Sequence, residues 1–226
     1  ASGGTDWYWR RMEVNNSNVK DFGAKGDGTN DDTTAIQAAI DATTEGVVVF
    51  PAGDYKITDE ITVNKNNITL LGMNTATLVV PSATTTTTGY AIDVYSTGAS
   101  QPVNCHLINM NVDISTNSGG NSGGIRWGAS YGSMKAVNAR IRGDNMSGIA
   151  LQNNAHATGS GTGPYYNHFD QVFVQGDSTS GTPLSGTIGF EFVASTHTAS
   201  RCPNTNSFIC CRAGSVYDGY YIQGHG

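Results

Sequence analysis

The chain has 226 residues and a formal net charge of −6; 13% of its residues are charged, 38% are apolar and 29 are glycine. Charge is too sparse for a coiled coil or a charge-driven disordered chain, the glycines have no G-X-Y period, and no apolar run reaches the ~18 residues of a membrane helix. An acidic surface carries no basic footprint for nucleic acid and is repelled by anionic lipid, so neither nucleic acid nor membrane insertion is expected.

Residues 1–18 read as a linker with an aromatic cluster, Trp7, Tyr8 and Trp9. Residues 19–45 hold the one expected helix, from Asp32 to about Thr43. Asp31 or Asp32 caps it, because a carboxylate accepts the free first-turn N–H groups. Ile36, Ala39 and Ile40 supply its apolar stripe. Asp21 and Asp27 read as turn residues, and Gly53 as a tight turn between two strands. Residues 46–226 read as short strands, and the last of them, opening at Gly219, leads to the expectation that the strand array continues beyond the chain end.

The strands repeat. Glycine followed by apolar–x–apolar recurs at Gly89, Gly124, Gly148, Gly189 and Gly219, at spacings of 35, 24, 41 and 30 residues. A second strand type lies between them: Met110–Ile114, Val137–Ile141, Val172–Val174 and Ile209–Ala213. A coil of about 20–25 residues with variable corners explains the uneven period, each coil burying its apolar residues on the axis and stacking on the next. The polar stretches 81–88, 116–123, 155–164 and 176–186 are the expected corners.

Three segments in the first third carry a resemblance: Val19-Lys-Asp-Phe-Gly-Ala-Lys-Gly-Asp-Gly-Thr-Asn-Asp-Asp-Thr33, Ala35-Ile-Gln-Ala-Ala-Ile40 and Val47-Val-Val-Phe-Pro-Ala-Gly-Asp-Tyr55. Together they resemble the opening of the pectate-lyase-like superfamily. The resemblance implies an all-β fold, a right-handed single-stranded parallel β-helix, with the N-terminal helix lying over its open end. It spans about 40 residues, and within the superfamily the chain is most like a bacteriophage tailspike. Tyr8-Trp9 echoes the paired-helix glucanases, and Gly224-His225-Gly226 matches one of three polygalacturonase signatures, the other two being absent.

With the glycine motifs aligned, the outward positions of the first strand type are Ala91, Arg126, Ala150, Glu191 and Tyr221; those of the second are Asp113, Arg140, Phe173 and Arg212. Carboxylates beside aromatics and arginines suit a carbohydrate groove, where sugar C–H faces stack on rings and glycoside cleavage uses two carboxyls about 5–10 Å apart. Glu191, Asp170 and Asp113 are therefore the candidate catalytic residues, with Asp218 a fourth. Arg126, Arg140, Phe173, Arg212 and Tyr221 are candidates for binding substrate. A plain surface role competes for each, and Asp113 beside Arg140 suits an ion pair. Trp127 and Phe192 fall on inward positions. The five histidines, His106, His156, His168, His197 and His225, lack metal-ligand spacing, and no cofactor or metal motif occurs. Cys105, Cys202, Cys210 and Cys211 contain no C-x-x-C pair, and a disulfide from Cys202 to Cys210 or Cys211 stays open.

Two functions follow as expectations. One is a virion tailspike that binds host surface polysaccharide and depolymerises it, as a hydrolase or a lyase. The other is a β-helix stalk or adhesin that only grips glycan; a secreted pectinase- or glucanase-like enzyme ranks third. The expected partners are the host polysaccharide, other tail proteins through the N-terminus, and two further copies of the chain in a parallel homotrimer. Outward Phe173 and Tyr221 and the Trp7-Tyr8-Trp9 cluster have no evident cover in a lone chain.

Overall fold

The computed structural model describes residues 16–80, 89–95, 101–115, 122–152, 164–179, 181–193 and 205–223. The aromatic cluster at 7–9, most of the expected corners, Cys202, His156, His197 and Gly224-His225-Gly226 lie outside the described residues. Gly46–Phe50, Gly53–Lys56 and Ile61–Thr62 are three successive strands that face three ways and make one coil. The next coils are Ile68–Gly72, Ala76–Val80, Tyr90–Val94, and then His106–Ile108, Asn111–Ser115, Ser122–Trp127. In the following two, the first pair of strands fuses: Ser133–Arg142 precedes Met146–Gln152, and His168–Gly176 precedes Ile188–Val193. Ser207–Ile209, Arg212–Gly214 and Asp218–Gln223 form the last described coil.

The strands of each inner coil pair in parallel with their equivalents in the coils before and after, so three parallel faces wind into a right-handed β-helix, the first two joined by the fused strands into one twelve-stranded sheet and the third a six-stranded sheet. Strand spacing of ~4.8 Å brings equivalent side chains into columns. Three inward columns make the core. Val48, Leu70, Leu107, Met134 and Phe169 line the first face, ending in Phe208 stacked on Phe169 at 4.7 Å. Tyr55, Leu78, Val112, Ala139 and Val174 line the second. Ile61, Ile92, Ile125, Ile149 and Phe190 line the third, with Tyr220 stacked on Phe190 at 5.1 Å.

The glycine of the repeat has a packing cause. Ala91, Gly124, Gly148, Gly189 and Gly219 occupy one column on the third face. A Cβ on Gly148 would stand 2.2 Å from Val174 Cγ1, and one on Gly189 2.4 Å from Ala213 Cβ, so the second and third faces approach too closely for side chains here. Gly89 is different: it is a turn residue with φ +84°. Aligning Gly89 with Gly124 shifts this strand by two residues, so Ala91 belongs to the glycine column and Asp93, not Ala91, shares the outward column of Arg126.

Single left-handed residues turn the chain at two corners. Asn109, Ala136, Gln171 and Cys210 (φ 51° to 55°) bend the first face into the second, and Asn67, Asn104, Tyr131, Tyr166 and Thr205 (φ 51° to 58°) lead into the first. Asparagine suits such sites because its short amide bonds locally. Asn104 Nδ2 donates to Asn67 Oδ1 at 2.9 Å, and Asn109 Nδ2 to Gly72 O at 2.8 Å.

The helix, Thr33–Ala42, buries Ile36, Ala39 and Ile40 over the open end of the coil stack. Gln37 also pairs with the exposed strand edge: its Nε2 donates to Thr62 O at 3.1 Å and its Oε1 accepts from Thr62 N at 3.0 Å. Lys65 Nζ donates to Ile40 O at 3.1 Å and Thr43 O at 3.2 Å, where a cation favours a helix C-terminus. Asp32 occupies the N-cap without a side-chain capping bond; its buried carboxylate accepts instead from Lys25 N at 2.6 Å and Gly26 N at 2.9 Å. Asp31 accepts from Thr33 N at 3.0 Å. Asp27–Asp31 is an exposed, bulged strand beside Gly53–Lys56 rather than a turn alone, although Asp27 does accept from Thr29 N and Asn30 N in turn fashion. Trp127 and Phe192 pack against the core as expected. Cys105, Cys210 and Cys211 are free thiols, and burial pushes Cys105 up to about 11. The corner at 176–186 includes a small hairpin, Ser178–Thr179 with Thr182–Pro183.

Candidate functional site

The carboxylates singled out from sequence lie on three different faces. Asp170 is on the first, in the column of Lys135 and Ile209. Asp113 is on the second, in register with Arg140, but its carboxylate binds the guanidinium of Arg142 two residues further on, with Nε to Oδ1 at 2.8 Å. Arg140 reaches the other way, to Asp177 at 3.0 Å. Phe173 is half-buried on the same face, with the Arg212 guanidinium 5.3 Å from its ring, so it has a cover within the chain. Glu191 is on the third face. These carboxylates do not converge on one point, and two-carboxylate chemistry needs convergence.

The third face does gather a set. Its outward column runs Thr62, Asp93, Arg126, Ala150, Glu191, Tyr221 through consecutive coils. Asp93 is 4% exposed, and its carboxylate is clasped by Arg126, Nε to Oδ1 at 2.8 Å and Nη2 to Oδ2 at 2.5 Å. The guanidinium lies 4.0 Å from the Tyr95 ring and 5.6 Å from that of Tyr90. Burial opposes the charge of Arg126, yet the Asp93 hydrogen bonds and charge outweigh it and hold the group above its ordinary pKa. Tyr90 is buried, and its hydroxyl accepts from Gln152 Nε2 at 3.2 Å. Burial, then the charge of Glu191, pushes Tyr90 well above the usual phenol range. Glu191 is half-buried and accepts from Ser147 Oγ at 2.6 Å. Tyr221 is 40% exposed at the end of the column. Asp218 opens the same strand, in the column of Tyr90, Ser147 and Ile188.

Of the residues expected from sequence, Arg126, Glu191 and Tyr221 are thus brought into one column. Asp93, Tyr90, Tyr95 and Ser147 complete the set and were missed. The signal for Asp93 was available: matching Ile92 to Ile125 as core residues, instead of glycine to glycine, puts an acid beside Arg126. Among the described residues no three His, Cys, Asp or Glu side chains cluster as a metal site, and no helix is long and apolar enough to cross a membrane.

The family model described as rhamnogalacturonase A/epimerase, pectate lyase-like, matches residues 16–221. Alginate lyase 7 of Azotobacter vinelandii is 44% identical over 72 residues, 28% of this chain and 8% of the relative. A probable glucan endo-1,3-beta-glucosidase of Arthroderma benhamiae is 57% identical over 49 residues, 21% of this chain and 6% of the relative. Among solved structures, ORF18 of Geobacillus virus E2 matches 94% of this chain and 45% of its own, at a TM-score of 0.57 and 23% identity. The A-module of the Azotobacter vinelandii mannuronan C-5 epimerase AlgE4 matches 85% of this chain and 63% of its own, at 0.51 and 18%. PfbA, a surface adhesin of Streptococcus pneumoniae, matches 84% and 46%, at 0.50 and 19%. The matches span less than a tenth of these two curated relatives' length and less than two thirds of the solved chains.

Proposed function

We propose that this chain, which belongs to the rhamnogalacturonase A/epimerase, pectate-lyase-like family, is the glycan-handling β-helix of a phage tailspike. In this reading it binds host surface polysaccharide along the third face and cuts it there. The observation that carries the reading is the column Asp93–Arg126–Glu191–Tyr221, with the Arg126 guanidinium held from beneath by Asp93 and the buried Tyr90 and Tyr95 rings. An exposed tyrosine ring, a fixed guanidinium and a half-buried carboxylate aligned on a parallel sheet suit an extended chain of sugars. The names of the relatives, an alginate lyase and a mannuronan epimerase among them, support a polysaccharide as the partner. The viral structural neighbour supports the virion setting; in this reading the chain works there as a parallel homotrimer joined to the tail through its N-terminal segment.

Within that column Glu191 takes the proton-transfer role. Asp93 is already neutralised by Arg126, and it stands three strand spacings from Glu191, ~14 Å and beyond the reach of a hydrolytic pair. The spacing favours a single base: Glu191 takes the proton from the carbon beside a uronate carboxyl, that C–H electron pair forms the new C=C bond as the neighbouring C–O bond breaks, and the departing oxygen takes a proton from water. Incubation with a panel of host surface polysaccharides and uronans, followed by gel filtration and ultraviolet absorbance, tests this. Shortened chains with an absorbing unsaturated end are expected, and Glu191→Gln lowers the rate by about 100-fold or more. Unchanged chain size across the panel overturns cleavage. Retention of glycan without cleavage favours the second reading, a glycan-gripping adhesin, which the scatter of Asp113, Asp170 and Glu191 over three faces supports.

A further inference from the structure

A second aromatic cluster lies away from this column, on the corner that leads from the third face into the first. Tyr131 and Tyr166 occupy equivalent positions in consecutive coils, and their rings stack at 5.3 Å with planes 22° apart. Tyr165 meets both edge-on, at 5.3 Å and 5.4 Å. Tyr131 is 54% exposed and Tyr166 55%. Both adopt left-handed backbone, φ 54° and 55°, which is unfavourable for a bulky side chain. The same column uses asparagine at Asn67 and Asn104, so packing does not demand a ring there.

Buried polar groups hold this costly arrangement in place. Asn167 is 2% exposed; its Oδ1 accepts from Gly132 N at 2.9 Å and its Nδ2 donates to Ala129 O at 2.9 Å. The hydroxyl of buried Ser130 accepts from Tyr165 N at 3.1 Å and from the Gln101 carboxamide. Tyr131 N donates to Tyr165 O at 3.1 Å. Strain that the surroundings over-determine, on exposed side chains, points to a use for those side chains.

We propose that Tyr131, Tyr165 and Tyr166 form a second sugar-binding platform, for uncharged pyranose residues. A ring face is electron-rich and attracts the polarised C–H groups of a pyranose, while the phenol hydroxyls and neighbouring polar groups bond its hydroxyls. The outward column beside the rings, two residues along, is His106, Ser133, His168 and Ser207. It supplies imidazole and hydroxyl groups, with His168 Nδ1 2.7 Å from Ser207 Oγ, and no carboxylate, lysine or arginine. That neutrality favours an uncharged sugar over an acidic one. The fixed backbone means little ordering is left to be done on binding. The platform is separate from the third-face column and does not require that column to cleave.

Affinity electrophoresis of the intact protein through gels holding a β-glucan, a mannan or a galactan tests the platform, alongside light scattering and thermal unfolding. Retardation by at least one of these polysaccharides is expected. The double variant Tyr131→Asn, Tyr166→Asn should bind at least tenfold more weakly while its unfolding midpoint is unchanged or raised, because asparagine tolerates this backbone. Glu191→Gln should leave the retardation intact whether or not it abolishes cleavage, so the platform and the cleavage site fail separately. Wild-type protein that no neutral polysaccharide retards, or a double variant retarded like wild type, overturns the proposal. A double variant that changes mass while keeping its retardation makes the rings a subunit contact and overturns it as well.

Discussion

Asp93 and Arg126 show how one residue can matter to both fold and site. A carboxylate 4% exposed is tolerable only because a guanidinium clasps it with two hydrogen bonds. Arg126→Ala leaves that charge buried and alone, and is expected to lower stability by about 3–5 kcal/mol in urea denaturation. Arg126→Lys should recover only part of this, since an ammonium cannot reproduce the two-pronged contact. Acid sensitivity belongs to other carboxylates. Backbone N–H bonds from Asn30 and Thr29 hold Asp27 below its ordinary pKa; for Asp31, hydroxyl bonds from Thr33 and Thr58 outweigh the opposing effect of burial. A depressed folded pKa stabilises fully above the unfolded value, ~3.9, and that stability is lost as pH falls through the folded value. The thermal midpoint should therefore drop below about pH 4, and drop less in the Asp27→Asn, Asp31→Asn double variant. Residues of this kind were half legible in sequence. Arg126, Glu191 and Tyr221 show as outward positions of a repeat, whereas Asp93 was displaced by a two-residue error of register, because Gly89 serves a turn and not the glycine column.

At the scale of elements, the helix and the glycine column do opposite work. The helix covers an end: its apolar stripe seals the core and Gln37 occupies the hydrogen bonds of a strand edge that would otherwise invite another chain. The glycine column lets two sheets touch. Gly148→Ala puts a methyl group 2.2 Å from Val174 Cγ1 and should cost roughly 1–3 kcal/mol, read as a lowered denaturation midpoint. Adding Val174→Ala should restore part of the loss, which a purely conformational effect of alanine would not allow. The helix was legible from its 3.6-residue stripe, and the glycine from its recurrence. The left-handed corners at Ala136, Gln171, Tyr131 and Tyr166 were not, since nothing local marks these residue types for that backbone and the stacked coils impose it.

At the scale of the molecule, the proposed homotrimer makes the plainest prediction. Ile209, Tyr217, Tyr220 and Ile222 on the last described coil are 49% to 76% exposed. Apolar surface of that kind suits a contact between subunits. Light scattering should return about three times the 23.7 kDa of the chain, and a mass near 23.7 kDa at micromolar concentration removes the trimer.

The sequence by itself determined a solenoid of stacked coils, because a repeat of apolar alternation has to bury its residues on a common axis, while the handedness, the helix over the end and the family were implied by the resemblance carried by residues 19–55. Only the tertiary structure decided which outward residues meet. Partners across a parallel sheet lie a whole coil apart, and coil length varies with the corners, so a shift of two residues keeps a side chain outward and still gives it a different neighbour. That is why Asp113 pairs with Arg142 and not with its register partner Arg140, why Glu191, Asp170 and Asp113 occupy three faces, and why the Asp93–Arg126 clasp and the tyrosine corner become visible only once the coils are stacked.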